Sequence, residues 1–453
     1  STGSEPVLVD GATLRDLSIV DAGEDGASLF ARLDHARTDL GRAALRSRLR
    51  RLPPPAEARD TQAAIRYLGD RLHGVRALID ATNPDEVDAY LSLNWQAVTK
   101  HSRPGRFIER IVLRLRYRQA LRQIRHGVNA LRQMLAGVKE MINVAGSGPA
   151  LLQRQAHALA EHSDMLRDAW RLSESRSLAD MLEADRLARG PARDAIRALL
   201  SIVADLDAQY AIASATIEYQ WCFPDIVDDL RVVQFRGLRH AQLPSSVPND
   251  IVLDGTRGVL AVTGPNMAGK STLLKSVGTA IYLAHLGCGV PAVRARLSCF
   301  DAMLAALYVR DSLANGESYY LSEVRRIKEL LKSLAATPRM FALLDEPFKG
   351  TNIHDASEAT ALLLDGLCAK ESSIVILTTH LASVVRSREG DEGLTTAHLA
   401  AQESEGGLVF DYQLRPGISD QRLGMVLLER EGVAPELVSA IQRRAGRSAH
   451  NPG

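Results

Sequence analysis

Gly264-Pro265-Asn266-Met267-Ala268-Gly269-Lys270-Ser271 fits the pattern G-x-x-x-x-G-K-[ST]. It follows the apolar run Gly258-Val259-Leu260-Ala261-Val262-Thr263 and opens a helical pattern from Thr272. Strand, glycine turn and helix form the context in which this octet binds phosphate. Such a turn aims its backbone N–H groups at phosphate oxygens, and the helix that follows adds its positive end. Lys270 supplies a point charge for β- and γ-phosphates, and the Ser271 hydroxyl can ligate Mg²⁺. The bland alternative is a tight turn with no ligand.

Two further motifs favour the phosphate reading. Met340-Phe341-Ala342-Leu343-Leu344 is an apolar run ending in Asp345-Glu346, about 75 residues after Lys270. A carboxylate at such a strand end can hold the Mg²⁺ shell, and Glu346, one residue on, can polarise an attacking water as a general base. Standing alone, the same pair could merely cap a helix. Ser373-Ile374-Val375-Ile376-Leu377 is a third strand-length run, followed by Thr378-Thr379-His380. A histidine there can contact the γ-phosphate or hold the catalytic water.

Continuous apolar runs of this length suit strands covered on both faces. With helical patterns between them they predict an α/β domain with a largely parallel core sheet. A further strand is expected near Leu408–Leu414, then a helical tail to about Arg444. The chain changes character near residue 245. Before it, helical spacing dominates: a run from Ser28 to Leu52 stopped by Pro53-Pro54-Pro55, a second from about Glu57 to Ala81, and a long helix from about Pro104 to Val144. Others follow from Leu151 to Ala188 and, past Gly190-Pro191, to about Tyr219. Asp85, after Asn83-Pro84, is placed to cap the helix it begins.

Composition narrows the class. The formal net charge is +1, so any basic surface must be local. Of the four cysteines, Cys222, Cys288, Cys299 and Cys368, no two form a C-x-x-C pair. Neither a zinc site nor a disulfide framework is indicated, and reduced thiols are expected. No signal peptide and no uninterrupted apolar run of about 18 residues is found, so a cytoplasmic location is expected. Ser1–Glu5 reads as a flexible start or a cloning scar.

One local basic feature stands out. Arg103, Arg106, Arg110, Arg114, Arg118, Arg122 and Arg125 recur at steps of three or four, which on a helix makes one Arg face. Lys100 to Arg132 contains ten Lys/Arg and one acid, Glu109. Guanidinium forks suit phosphate oxygens, so the face can track a nucleic-acid backbone. Equally, it can be a solvated helix or one paired with acids such as Asp85, Glu86 and Asp88.

Taken together, these motifs resemble those of the MutS family of ABC-type ATPases. Thr263–Thr272 is similar to TGPNMGGKST, with Ala268 in place of a glycine, and the Asn-Met pair separates this family from ordinary P-loop proteins. Asp311–Glu323 resembles the signature segment D-x-L-x-x-G-x-S-x-F-x-x-E. Asp345–Asn352 resembles DE-x-x-RGT-S, with Pro347 and Lys349 as departures. Asp355 falls where the family has a subunit-interface aspartate. Gly287–Ala292 and the tail Tyr412–Gly417, with Gly424, Gly432 and Pro435, also fit. Upstream, Leu33–Gly41 is similar to the start of the family's helical core, and Tyr219–Pro224 to the end of its lever.

The resemblance implies an α plus α/β chain: an N-terminal all-helical core and lever domain, then an ABC-type P-loop ATPase domain and a short helical tail. The expected bounds are 1–27 for an N-terminal extension, 28–235, 236–415, and 416–453 for the dimerisation tail. It implies ATP held by Gly264 to Thr272, with Ser318 reaching the γ-phosphate of the opposite subunit of a homodimer. Glu346, His380 and Lys270 would be catalytic, and Ser271 and Asp345 would hold Mg²⁺. The partner would be DNA, read by backbone or shape during repair or recombination. The family's mismatch-reading domain and connector have no room before Ser28, and a short form is expected. Phe107-Ile108-Glu109 matches the letters of the mismatch wedge but falls inside a predicted helix. Two rivals remain: an ATP-controlled switch acting on a protein or RNA–protein assembly, and a silent scaffold that binds nucleotide only.

Overall fold

The computed structural model describes residues 5–23, 26–93, 118–174, 177–229, 231–254, 257–307, 319–337, 339–370, 373–404 and 407–419. They group into two compact units interleaved in sequence. One holds residues 1–228, 235–244 and 277–303, the other 229–234, 245–276 and 304–453.

The first unit is mainly helical. Its helices are α1 (Gly11–Asp16), α2 (Leu29–Leu33), α3 (Asp39–Arg48), α4 (Ala58–Gly69), α5 (Leu72–Thr82) and α6 (Pro84–Ser92), then α7 (Arg118–Gly146), α8 (Ala150–Met165), α9 (Arg167–Glu174), α10 (Leu178–Arg189) and α11 (Arg193–Glu218). Helix α11 is long and apolar enough to cross a membrane by length and composition, but 72% of its apolar window is buried in the protein. It packs on α3, α4, α5, α6 and α8. Its buried Asp207 accepts the backbone N–H of Arg37 (2.9 Å) and of Thr38 (2.9 Å) and the Thr38 hydroxyl (2.7 Å).

That carboxylate explains why the helix expected over Ser28–Leu52 is two helices. Thr38 turns extended to cap α3, its Oγ accepting the N–H of Gly41 at 2.9 Å, and the N–H groups freed at the break go to Asp207. The run expected over Glu57–Ala81 likewise divides, at Asp70-Arg71, into α4 and α5. Asp85 does not cap the helix it begins. Its two oxygens accept the N–H groups of Asp39 (2.8 Å) and Leu40 (3.0 Å), so it caps α3 across the bundle. All four cysteines are free, and burial pushes the Cys288 thiol up to about 12.

In the second unit the strands β5 (Val259–Thr263), β8 (Met340–Asp345) and β9 (Ile374–Thr379) coincide with the three apolar runs. The chain's strands before β5 are β1 (Leu8–Val9), β2 (Asp225–Val227), β3 (Val233–Leu238) and β4 (Asn249–Leu253). Between β5 and β8 come β6 (Arg294–Ser298) and β7 (Ala302–Ala306). After β9 come β10 (Leu394–Ser404) and β11 (Gly407–Pro416). The central order is β8-β9-β5-β10-β11, parallel through β10, with β11 antiparallel to it. β5 and β9 are buried at every position, as two-sided coverage requires. Among the described residues the remaining helices are α12 (Lys270–His285), α13 (Tyr319–Ala336), α14 (Ile353–Cys368) and α15 (Ala382–Arg386).

Strand register places the chemistry. Leu344 pairs with Leu377 and Asp345 with Thr378, while Val262 pairs with Thr378 and Thr263 with Thr379. The carboxyl ends of β8, β9 and β5 therefore finish level with one another, which is where ligands bind in open α/β sheets.

Candidate functional site: a phosphate loop facing two acids

The loop from Gly264 to Gly269 needs its glycines. Gly264 sits at φ +147°, where a Cβ would lie 2.4 Å from the carbonyl oxygen of Leu399. Gly269 sits at φ +94°. Ala268 tolerates replacement of a glycine because it is not among the residues at positive φ, and its methyl is buried. Met267, by contrast, is held at φ +69° with its side chain 74% exposed. Pro265 is buried, and Asn266 and Thr272 are exposed.

Lys270 opens α12 and is only 5% exposed. Its ammonium donates to the carbonyls of Gly264 (2.9 Å) and Pro265 (3.0 Å) and lies 3.1 Å from Oε1 of Glu346. Ser271 donates to Oδ2 of Asp345 at 2.5 Å. Phosphate loop, lysine, hydroxyl and both acids thus converge on one strand edge.

Thr378, fully buried on β9, had no role assigned from sequence, although it directly precedes the Thr379-His380 pair. Its hydroxyl donates to Oδ1 of Asp345 and accepts the N–H of Glu346 at 3.1 Å; its carbonyl accepts the same N–H at 3.1 Å. It therefore orients one acid and pins the backbone of the next. Glu346 adopts φ +44° and Phe348 φ +67°, conformations that L-residues rarely hold without support. His380 follows β9 and is exposed, close in sequence to these groups.

Tyr412 is a second such residue, quoted only as part of the tail string. Its ring packs over Gly269, with Cδ1 3.1 Å from the position a Cβ would take there. It stands at φ +55°, is 44% exposed, and stacks with Phe410 at 6.1 Å between centroids. Asn249 holds it from both sides, donating to the Tyr412 carbonyl (3.0 Å) and accepting the N–H of Leu414 (2.7 Å). An aromatic face beside a phosphate loop can stack on a planar base. No short-range sequence signal joins Asn249 to Tyr412; only folding does.

Ser271 and Asp345 offer hard oxygens at one point, a donor set that fits Mg²⁺, which takes few protein ligands and completes its shell with water and phosphate. Ser318, Arg103, Arg106, Arg110 and Arg114 lie outside the described residues, as do Phe107–Glu109 and the tail from residue 420. Arg118 begins α7, and Arg122 and Arg125 are exposed along it.

Comparison with known proteins agrees with the motifs. Residues 260–447 match the family model described as MutS domain V. The chain is 32% identical over 292 residues to the DNA mismatch repair protein MutS of Thermus thermophilus, covering 64% of this chain and 35% of that protein. The protein of the same name from Lawsonia intracellularis is 32% identical over 254 residues, 54% of this chain and 28% of its own. That from Chloroflexus aurantiacus is 27% identical over 348 residues, 73% and 36%. The chain spans about a third of the length of these curated relatives. With the phosphate loop, both acids and their strand order inside the matched region, residues 260–447 belong to the MutS domain V family.

Proposed function

We propose that the chain is a Mg²⁺-dependent ATPase whose hydrolysis drives a homodimeric switch on distorted or branched DNA, in mismatch repair or recombination. The observation that carries this reading is the convergence of Lys270, Ser271, Asp345 and Glu346 at the carboxyl edge of one parallel sheet. A parallel strand edge with a phosphate loop suits a nucleoside triphosphate, and a carboxylate beside it, here paired with the loop lysine, suits activation of water.

In this reading the N–H groups of Asn266 to Ser271 cradle the phosphates, and Lys270 neutralises charge on the β/γ oxygens. Ser271 and Asp345 hold Mg²⁺, which when bound offsets phosphate charge. Glu346 accepts the proton of a water whose oxygen bonds to the γ-phosphorus while the bond to the β–γ bridging oxygen breaks. ADP and phosphate leave, and His380 orients that water or contacts the γ-phosphate. The Tyr412 face stacks on the base. Residues 28–235 act as core and lever, 236–415 as the ATPase domain and 416–453 as the dimerisation tail. Ser318 of one subunit completes the site of the other. Arg103 to Arg125 hold DNA by its backbone, so affinity follows shape rather than sequence.

The test is Mg²⁺-dependent ATP hydrolysis measured alone and with linear, mismatched and branched DNA. Stimulation by the branched or distorted duplexes supports the reading. Hydrolysis unmoved by every DNA, with no salt-dependent DNA shift, would transfer the switch to a protein or RNA–protein partner.

A further inference from the structure

Helix α13 buries one face through Ile327, Leu330 and Leu334. Glu323 occupies the position one turn earlier on that same face and is 3% exposed. A carboxylate on an apolar stripe is costly unless its oxygens are used. Both are: Oε1 accepts the N–H of Lys349 at 3.3 Å and Oε2 that of Gly350 at 3.2 Å. Burial raises its carboxyl above the ordinary range, while the N–H groups of Gly350, Lys349 and Phe348 draw it back down.

The loop so held begins at Glu346. Its upstream end is pinned at the Glu346 N–H by Thr378, and its downstream end by Glu323. Between the two anchors lie the left-handed residues Glu346 and Phe348. Strained backbone of this kind persists where its surroundings over-determine it. Glu323, Asp345, Pro347 and Lys349 also line one pocket.

We infer that Glu323 is a positioning residue for hydrolysis: it ties α13 to the loop that aims Glu346. The inference rests on the reading of Glu346 as general base. A shift of α13 reaches the loop that carries Glu346 through two backbone hydrogen bonds, so the setting of α13 and the alignment of the base become one event. Glu323 touches neither water nor phosphate in this scheme; it acts only through Glu346.

The test is a double-mutant cycle on the full chain, read by single-turnover ATP hydrolysis and by equilibrium binding of a fluorescent ATP analogue. Glu323→Ala should slow hydrolysis by about tenfold to about 10²-fold, the range that misplacement of a reacting group produces. Nucleotide affinity should change by less than about twofold, because only the step after binding is touched. Glu323→Gln, which keeps one acceptor oxygen and the side-chain shape, should recover part of the rate; it carries the cycle if the alanine variant does not fold. Added to Glu346→Gln, either substitution should cost little more, since a positioning residue has nothing left to position. Additive losses in the double variant, a wild-type rate in Glu323→Ala, or an affinity loss equal to the rate loss would each overturn the inference while leaving Glu346 as base. A wild-type rate in Glu346→Gln alone would instead remove the base and this inference with it.

Discussion

The ammonium of Lys270 lies 3.1 Å from Oε1 of Glu346 while also donating to two carbonyls of its own loop. A single buried cation thus joins its own loop to Glu346; under the proposed reading, incoming phosphates and Glu346 compete for it. Lys270→Ala should weaken ATP binding by about 10²-fold, since losing a buried charge-assisted contact costs about 3 kcal/mol. Mixed with Ser318→Arg protein, it should regain part of its activity if sites are shared between exchanging subunits. Binding titrations and phosphate release check both; a mixture as inactive as its parents contradicts shared sites.

Tyr412 gives the site a second dimension. Stacking of a base on an aromatic ring is worth about 1–3 kcal/mol. Tyr412→Ala should therefore weaken adenine-nucleotide binding about tenfold, and Tyr412→Phe should not. Inorganic triphosphate, which has no base, should bind both variants like wild type; equal losses for it would point to a distorted loop instead.

Asp207 is the stability hinge of the helical unit. Removing it in Asp207→Ala strands the N–H groups of Arg37 and Thr38 and should destabilise the fold by about 3 kcal/mol, seen in a denaturant melt. Burial raises its carboxyl above the ordinary value of 3.8. A raised value in the folded state adds a proton-linkage increment to stability that is fully present below the unfolded value and lost as pH rises through the folded value. Relative to Asp207→Asn, the wild type should lose stability as pH climbs from about 4 through the carboxylate range, then level off. A relative gain over that window would contradict the assignment.

The arginine face makes a separable claim. Each phosphate contact contributes about 0.9 to the slope of log affinity against log salt on duplex DNA. Replacing Arg118, Arg122 and Arg125 by Gln should lower that slope by up to about 3, with similar losses across sequences. An unchanged slope together with an earlier melt would mean that these side chains pair within the protein.

Much of the site was legible because its parts are local. Gly264–Ser271, Asp345-Glu346 and His380 each sit at the end of an apolar run, and the length and continuity of those runs identify β5, β8 and β9 before any contact is known. What escaped was non-local. Thr378 gains its role only when β9 lies between β8 and β5; Tyr412 only when β11 folds back beside the loop and Asn249 locks it. The break between α2 and α3 escaped for the same reason, since Asp207, about 170 residues away, takes the N–H groups freed there. Asp85, just after Asn83-Pro84, is placed by sequence to cap the helix it begins, yet its oxygens reach another helix.

The most direct test of the central claim is Mg²⁺-dependent ATP turnover by Glu346→Gln beside wild type, with nucleotide affinity measured on the same samples. The geometry predicts affinity retained within about twofold and turnover slowed by about 10²-fold or more, the usual contribution of a general base. Turnover close to wild type in that variant would contradict it.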